Sequence, residues 1–215
     1  MTTQEIQARP IRFTGAELIA LVGLVDNEAA REVLRRLRLD VGTDELTAMR
    51  FGMSSLIARG LVIVDGELVS STEEGTVVAS VLGGAHSFGE VGLVAESQSE
   101  GALLVVSDRG TLLLGAAEGD TYECISIQPD ANIGELLTAM VFAFLDGHDI
   151  AAAAVTISRS AQTTRAAVRR RTGELWEVAA GELDDEGKLP VLGSGRARSR
   201  ATLRALWDSA GLARE

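Results

Sequence analysis

The sequence predicts an α+β fold in which antiparallel sheets pack with helices, and three observations carry that reading. Residues 14–59 hold three stretches of helical periodicity. Residues 89–127 hold four apolar runs of 7–9 residues divided by Gly, Ser or Asp. The spacers between those runs are too short for a βαβ crossover, so the strands they imply must pair as hairpins.

The helices come first. Thr14 and Glu17 stand at capping-box spacing ahead of the apolar run Leu18–Val25. Asp26 and Asn27 then break the chain and can cap a second helix, in which Ala30, Val33, Leu34 and Leu37 share one face and Arg31, Arg35 and Arg38 another. Residues 40–43 read as a turn. A third helix runs from about Asp44 to Arg59, with Leu46, Met49, Met53, Leu56 and Ile57 as its apolar set and Gly60 placed to stop it in a left-handed cap. In residues 61–69, apolar runs flank Asp65-Gly66, a short hairpin signal. Three helices followed by a hairpin is the order of a winged helix, so the N-terminal region is winged-helix-like. The dozen residues ahead of it read as a loose polar lead-in.

Ser71 and Glu74 repeat the capping-box spacing and predict a helix over 72–82, ended by Gly83-Gly84. Strands follow at 89–97, 101–108, 110–117 and 121–127, and Pro129 closes them. Asn132 and Glu135 give a third capping-box spacing, ahead of a helix over 133–145 that is apolar nearly all round and therefore buried. Asp146-Gly147-His148-Asp149 ends it. Strands are expected over 151–159, about 164–172 and 174–182, across a Thr172-Gly173 turn, although residues 160–171 also fit a helix. Residues 184–187 form a loop, Leu189–Leu192 can add a strand, and Arg196–Ser209 is a closing helix. The order strands, helix, strands, helix suggests two quasi-symmetric halves, 1–131 and 132–215, packed as one unit.

Composition narrows the function classes. The chain is 46% hydrophobic and 24% charged, a globular balance, but only 4% aromatic, so Ala, Val, Leu and Ile must build the core. Its most apolar stretch, Ile133–Leu145, is interrupted by Glu135 and falls short of the roughly 20 residues a bilayer needs, and residues 1–12 lack the apolar centre of a signal peptide. One cysteine, Cys124, allows no internal disulfide and suits a reducing compartment. The net charge of −11 is uneven. Residues 1–150 carry 9 basic and 23 acidic side chains and residues 151–215 carry 11 and 8, a contrast that would draw the two parts together within one molecule or between two in a homodimer. A chain this acidic is a poor nucleic-acid binder.

Four places could hide chemistry. The third helix would be the DNA-reading helix of a winged-helix regulator, yet it opens with Asp44-Glu45 and offers only Arg50 and Arg59, while the preceding helix carries Arg31, Arg35, Arg36 and Arg38. Gly193-Ser194-Gly195 with Arg196, Arg198 and Arg200 could cradle an anion but lacks both the P-loop ending and dinucleotide-site spacing; a plain loop with solvated arginines is favoured. Asp146, His148 and Asp149 could touch a metal, but with two histidines and one cysteine a site would lean on carboxylates, so no metal is expected. Cys124 lies in an alternating strand with no nearby base and reads as a buried, inert thiol. Trp176 and Trp207 read as core, with Trp176 near enough to Arg169 for a cross-strand cation–π contact. No catalytic residues and no cofactor are expected.

Residues 55–83, with a helix ending Ala-Arg-Gly-Leu, an Asp-Gly hairpin and a second helix, resemble the EspG family, the cytosolic chaperones of type VII (ESX) secretion. The strands that follow, with Gly-Asp-x-Tyr at 119–122 and Pro129, continue the likeness, and residues 165–209 resemble the second half of that family more loosely. The chain is shorter than is usual there, so part of the second half is expected to be absent. The resemblance implies a non-enzymatic, cytoplasmic protein-binding module with two quasi-symmetric halves and a helical secretion substrate as client. The alternative is a winged-helix DNA-binding transcriptional regulator.

Overall fold

The computed structural model describes residues 10–39, 44–66, 68–159, 162–172 and 175–209. In chain order the elements are β1 (Ile11–Thr14), α1 (Gly15–Val25), α2 (Glu28–Arg36), α3 (Glu45–Ala58), β2 (Val62–Asp65), β3 (Leu68–Ser71), α4 (Glu73–Gly83), β4 (Ala85–Ala95), β5 (Ser99–Ser107), β6 (Gly110–Ala117) and β7 (Thr121–Ile127). There follow α5 (Ile133–Asp146), β8 (Ala151–Arg159), β9 (Gln162–Arg171), β10 (Leu175–Gly181), β11 (Val191–Ser194) and α6 (Arg196–Ser209). Helices and antiparallel strands make this an α+β fold. The chain forms two compact units: Met1–His86 with Leu103–Gln128, and Ser87–Ala102 with Pro129–Glu215. The expected turn at 40–43, the lead-in up to residue 9 and the turn at Gly173 lie outside the described residues.

The first unit starts with a strand where a loose lead-in was expected. In β1, Ile11 stands opposite Cys124 and Thr14 opposite Thr121 of β7, and Phe13 is fully buried. Four residues are too few to show a period of two, so only the partner strand reveals β1. Thr14 then caps α1: its hydroxyl accepts from the Glu17 N–H, and the Glu17 carboxylate accepts from the Thr14 N–H. Asn27 caps α2 in the same way through the Ala30 N–H. The end of α3 is a Schellman motif: Gly60, at φ 70°, donates to Ile57, and Leu61 donates to Leu56. The end of α2 has the same pair of bonds, Arg38 to Arg35 and Leu39 to Leu34, but the left-handed position, φ 57°, is held by Arg38.

Close approach explains a glycine inside α3. A Cβ on Gly52 would lie 1.9 Å from the Ala16 carbonyl oxygen, so α1 and α3 meet backbone to backbone. That contact offsets the roughly 1 kcal/mol that glycine costs mid-helix. The capping box expected at Ser71 and Glu74 does not form. Ser71 is the last residue of β3, opposite Val62; Thr72 is the N-cap and makes no side-chain cap bond, its hydroxyl donating instead to the Leu61 carbonyl.

The second unit pairs β4 with β8, β8 with β9, β9 with β10 and β10 with β11, all antiparallel. Residues 162–171, which fitted strand or helix, are strand. Alternation puts Ala153, Val155, Ala166, Val168, Trp176 and Val178 on the buried side with Leu137, Val141, Phe142 and Leu145 of α5 and Leu203, Leu206 and Trp207 of α6. Asn132 caps α5 through the Glu135 N–H. The Glu135 carboxylate, expected to close a capping box, instead meets Arg200 at 2.7 Å and Arg204 at 2.5 Å on α6.

These structural units change the charge account. The first holds 16 acidic and 9 basic residues and the second 15 and 11, so they carry −7 and −4. The contrast seen on dividing the chain at residue 150 is largely lost once residues are assigned by contact.

Candidate protein-binding surface

Apolar side chains that the helical and strand periods assign to a core are left in solvent on α3 and the hairpin behind it. On α3, Gly52 and Leu56 are buried, but Leu46, Phe51 and Ile57 are not; Phe51 is 70% exposed. Of the apolar set expected to pack, Leu46 and Ile57 therefore flank the buried stripe rather than filling it. Both faces of the hairpin β2–β3 carry apolar side chains. Val64 stands opposite Val69 on one face, while Ile63 and Leu68 lie on the other, and all four are exposed, Leu68 at 74%. In a two-stranded ribbon one face at most can be covered by its own unit. The register pairs Asp65 with Leu68, so Asp65 closes the ladder.

A groove continues from this surface. Val69, Ser70 and Ser71 of β3, Thr76, Ala79, Ser80 and Gly83 of α4, Leu24 and Val25 of α1 and Arg109 of the β5–β6 turn line it. Its volume is about 620 Å³. The lining mixes aliphatic side chains with hydroxyls and one arginine, a chemistry that accepts an amphipathic segment.

Beneath the surface a buried charge fixes α3. Glu17 of α1 is fully buried, and its carboxylate takes the Ser55 hydroxyl at 2.6 Å, the Thr14 N–H at 2.8 Å and Arg59 at 2.7 and 2.8 Å. Burial by itself would push the carboxyl pKa up. The hydrogen bonds from Ser55 and Thr14, together with Arg59, outweigh it and hold the group below its ordinary value. The Arg59 guanidinium also lies 5.8 Å from the centre of the Phe13 ring.

The other candidate places resolve into structural contacts. The α2 arginines face acids of their own helix or the C-cap of α1: Arg31 meets Asp26 at 2.5 Å, Arg35 meets Glu28 and Glu32, and Arg36 meets Glu32 at 2.7 Å. With Arg59 bound to Glu17 and acids at the start of α3, this helix pair presents little net positive charge to a phosphate backbone. At the Gly-Ser-Gly turn, the Gly195 N–H donates to the Trp176 carbonyl, Arg196 pairs with Asp146 at 2.6 Å and Arg200 with Glu135, so two of the three arginines considered for an anion cradle are spent internally. The Arg196 hydrogen bond holds the Asp146 carboxyl below the usual range. His148 shares its ring nitrogens with the Phe144 carbonyl and Gln98. Among the described residues no cluster of three or more His, Cys, Asp or Glu side chains could hold a metal ion.

Trp176 does make a cation–π contact, but not with Arg169. The register sets Trp176 opposite Arg170, whose guanidinium lies 5.8 Å from the indole, while Arg169 points to the other face and pairs with Glu177 at 3.0 Å. A shift of one residue reverses the face, and sequence spacing across a turn could not resolve it. Trp176 also stacks on Phe142 at 5.3 Å, with Arg196 5.3 Å from the Phe142 ring. Cys124 is buried on β7, and burial pushes its thiol up to about 12.

No protein-family model matches the chain, and no curated protein matches it. What the architecture defines is an α+β class of two units, each with antiparallel strands and helices. Solved structures share it. One is the Mycobacterium tuberculosis type VII secretion system chaperone EspG5 in complex with a PE25–PPE41 dimer, similar at a TM-score of 0.61 and 11% identity over 96% of this chain and 99% of that one. At that identity the likeness is one of fold. No described helix is long and apolar enough to cross a membrane.

Proposed function

We propose that the chain is an EspG-like chaperone: a non-enzymatic, cytosolic module that binds a helical secreted protein and covers its apolar surface. The observation that carries the reading is the exposed apolar hairpin β2–β3, continuous through Val69 with the groove along α4, in a fold similar to EspG5. An amphipathic helix laid against such a surface buries its apolar face there. EspG5 was solved holding a protein dimer, and the same class of partner is proposed here. In this reading the two units are quasi-symmetric halves of one architecture. The regulator alternative finds no support in Arg31, Arg35, Arg36 and Arg59, which are engaged by acids.

The test is affinity capture from native lysate of the source cells with wild-type protein and with Phe51→Asp and Leu68→Asp. Wild type should retain a small helical secreted protein in binding that changes little with salt. Both variants should lose it while unfolding within about 0.5 kcal/mol of wild type, since both side chains stand in solvent. Capture of DNA that weakens steeply with salt would replace the chaperone reading with the regulator. Capture of the same client by both variants would move the site elsewhere.

A further inference from the structure

Strand β11 has β10 on one side and, among the described residues, no strand on the other. Val191, Leu192 and Ser194 are exposed, Val191 at 62% and Leu192 at 42%, Gly193 is half-buried, and the register with β10 shifts at Leu192. Such an edge offers unpaired backbone groups to another chain. Opposite charges lie at its two ends. Ahead of it, residues 182–190 hold Glu182, Asp184, Asp185 and Glu186 against Lys188. Asp184 accepts from the N–H groups of Glu186 and Lys188, and Glu186 pairs with Lys188 at 2.5 Å, which leaves Asp185 exposed and without a partner among the described residues. Behind the strand, Arg196 and Arg200 are held by Asp146 and Glu135. Arg198 has no acidic partner among the described residues, and its guanidinium lies over Gly193 of β11, 2.8 Å from where a Cβ would stand.

We propose that β11 is a self-association edge: two copies of this chain pair β11 with β11, antiparallel, about a two-fold axis. A two-fold contact is self-complementary, so whatever one end of the strand offers must suit the other end. Here it does. Antiparallel pairing sets the acidic loop of each copy beside the start of α6 in the other, and Asp185 meets Arg198 twice. Parallel pairing would set acid beside acid and arginine beside arginine. Pro190 has no N–H to donate, so the ladder stops at the four residues of β11. The contact is small, and the dimer is weak and reversible. This inference does not rest on the chaperone reading.

Sedimentation velocity of the full chain over a concentration series tests it. Wild type should shift reversibly from monomer to dimer, and added salt should weaken the dimer. Leu192→Lys should leave monomer. Arg198→Glu and Asp185→Arg should each weaken association about tenfold, and the double variant should recover most of the loss. Thermal melts by circular dichroism should match wild type throughout, and the charge-swap pair decides the matter if Leu192→Lys disturbs the strand. A wild type that stays monomeric across the series, a dimer indifferent to Leu192→Lys, or a double variant as weak as the singles overturns the proposal.

Discussion

Replacing Glu17 with Gln tests whether one buried carboxylate holds α1 against α3. Glutamine keeps the shape but removes the charge that Ser55, the Thr14 N–H and Arg59 all address. A hydrogen bond to a charged group contributes about 1.5–3 kcal/mol, and removing one member of a buried pair costs about 3–5. Arg59 is 39% exposed and can recover water, and the amide still accepts from Ser55 or Thr14, so the loss should be near the lower end, about 3 kcal/mol. The pH dependence adds a second arm. The folded carboxyl titrates below its ordinary value of 4.5, so its contribution is fully present above that value and is lost as pH falls through the folded pKa. The gap between wild type and Glu17→Gln should therefore be widest at neutral pH and close in acid. Urea unfolding followed by far-ultraviolet circular dichroism is the assay, because Trp176 and Trp207 both lie in the second unit and their fluorescence does not report on the first. A gap under about 0.5 kcal/mol at pH 7, or one that widens in acid, would refute the argument.

Two further outcomes follow from local geometry. Arg38→Gly should stabilise the protein by about 1 kcal/mol, because Arg38 pays the left-handed penalty in a Schellman motif that glycine would adopt freely; the measure is the urea midpoint, and a fall in it would show that the Arg38 side chain contributes more than its backbone strain removes. Cys124, with its thiol raised to about 12, should resist a thiol reagent at pH 8 in the native protein and react at once in urea; rapid native labelling would mean that β7 opens readily.

Much of the fold was readable because its signals are short-range. A cap, a helix stop or a turn is decided by residues within about four positions, and Thr14, Asn27, Gly60 and Asn132 each act on neighbours at that range. The same reach explains the misses inside that range. Ser71 and Glu74 satisfy the spacing of a capping box, but the pairing of Ser71 with Val62 commits that residue to a strand.

The candidate surface was less legible. Leu46 and Ile57 carry the same helical period as Leu56, and nothing local distinguishes a position that meets α1 from one that meets water. The hairpin did leave a trace, since Ile63 and Val64 are consecutive apolar residues in a ribbon that can bury only one face. That pattern names an uncovered side without naming what covers it.

By itself, then, the sequence determined most of the element types and most of their limits, properties of single residues or near neighbours. Only the tertiary structure decided partners. Arg12 reaches Glu123 at 2.5 Å across 111 residues, Arg170 rather than Arg169 meets Trp176, and of the arginines opening α6 it is Arg198 that finds no acid among the described residues. Which charges are spent and which remain depends on how the chain closes on itself, and chain closure is a long-range property that no local rule encodes.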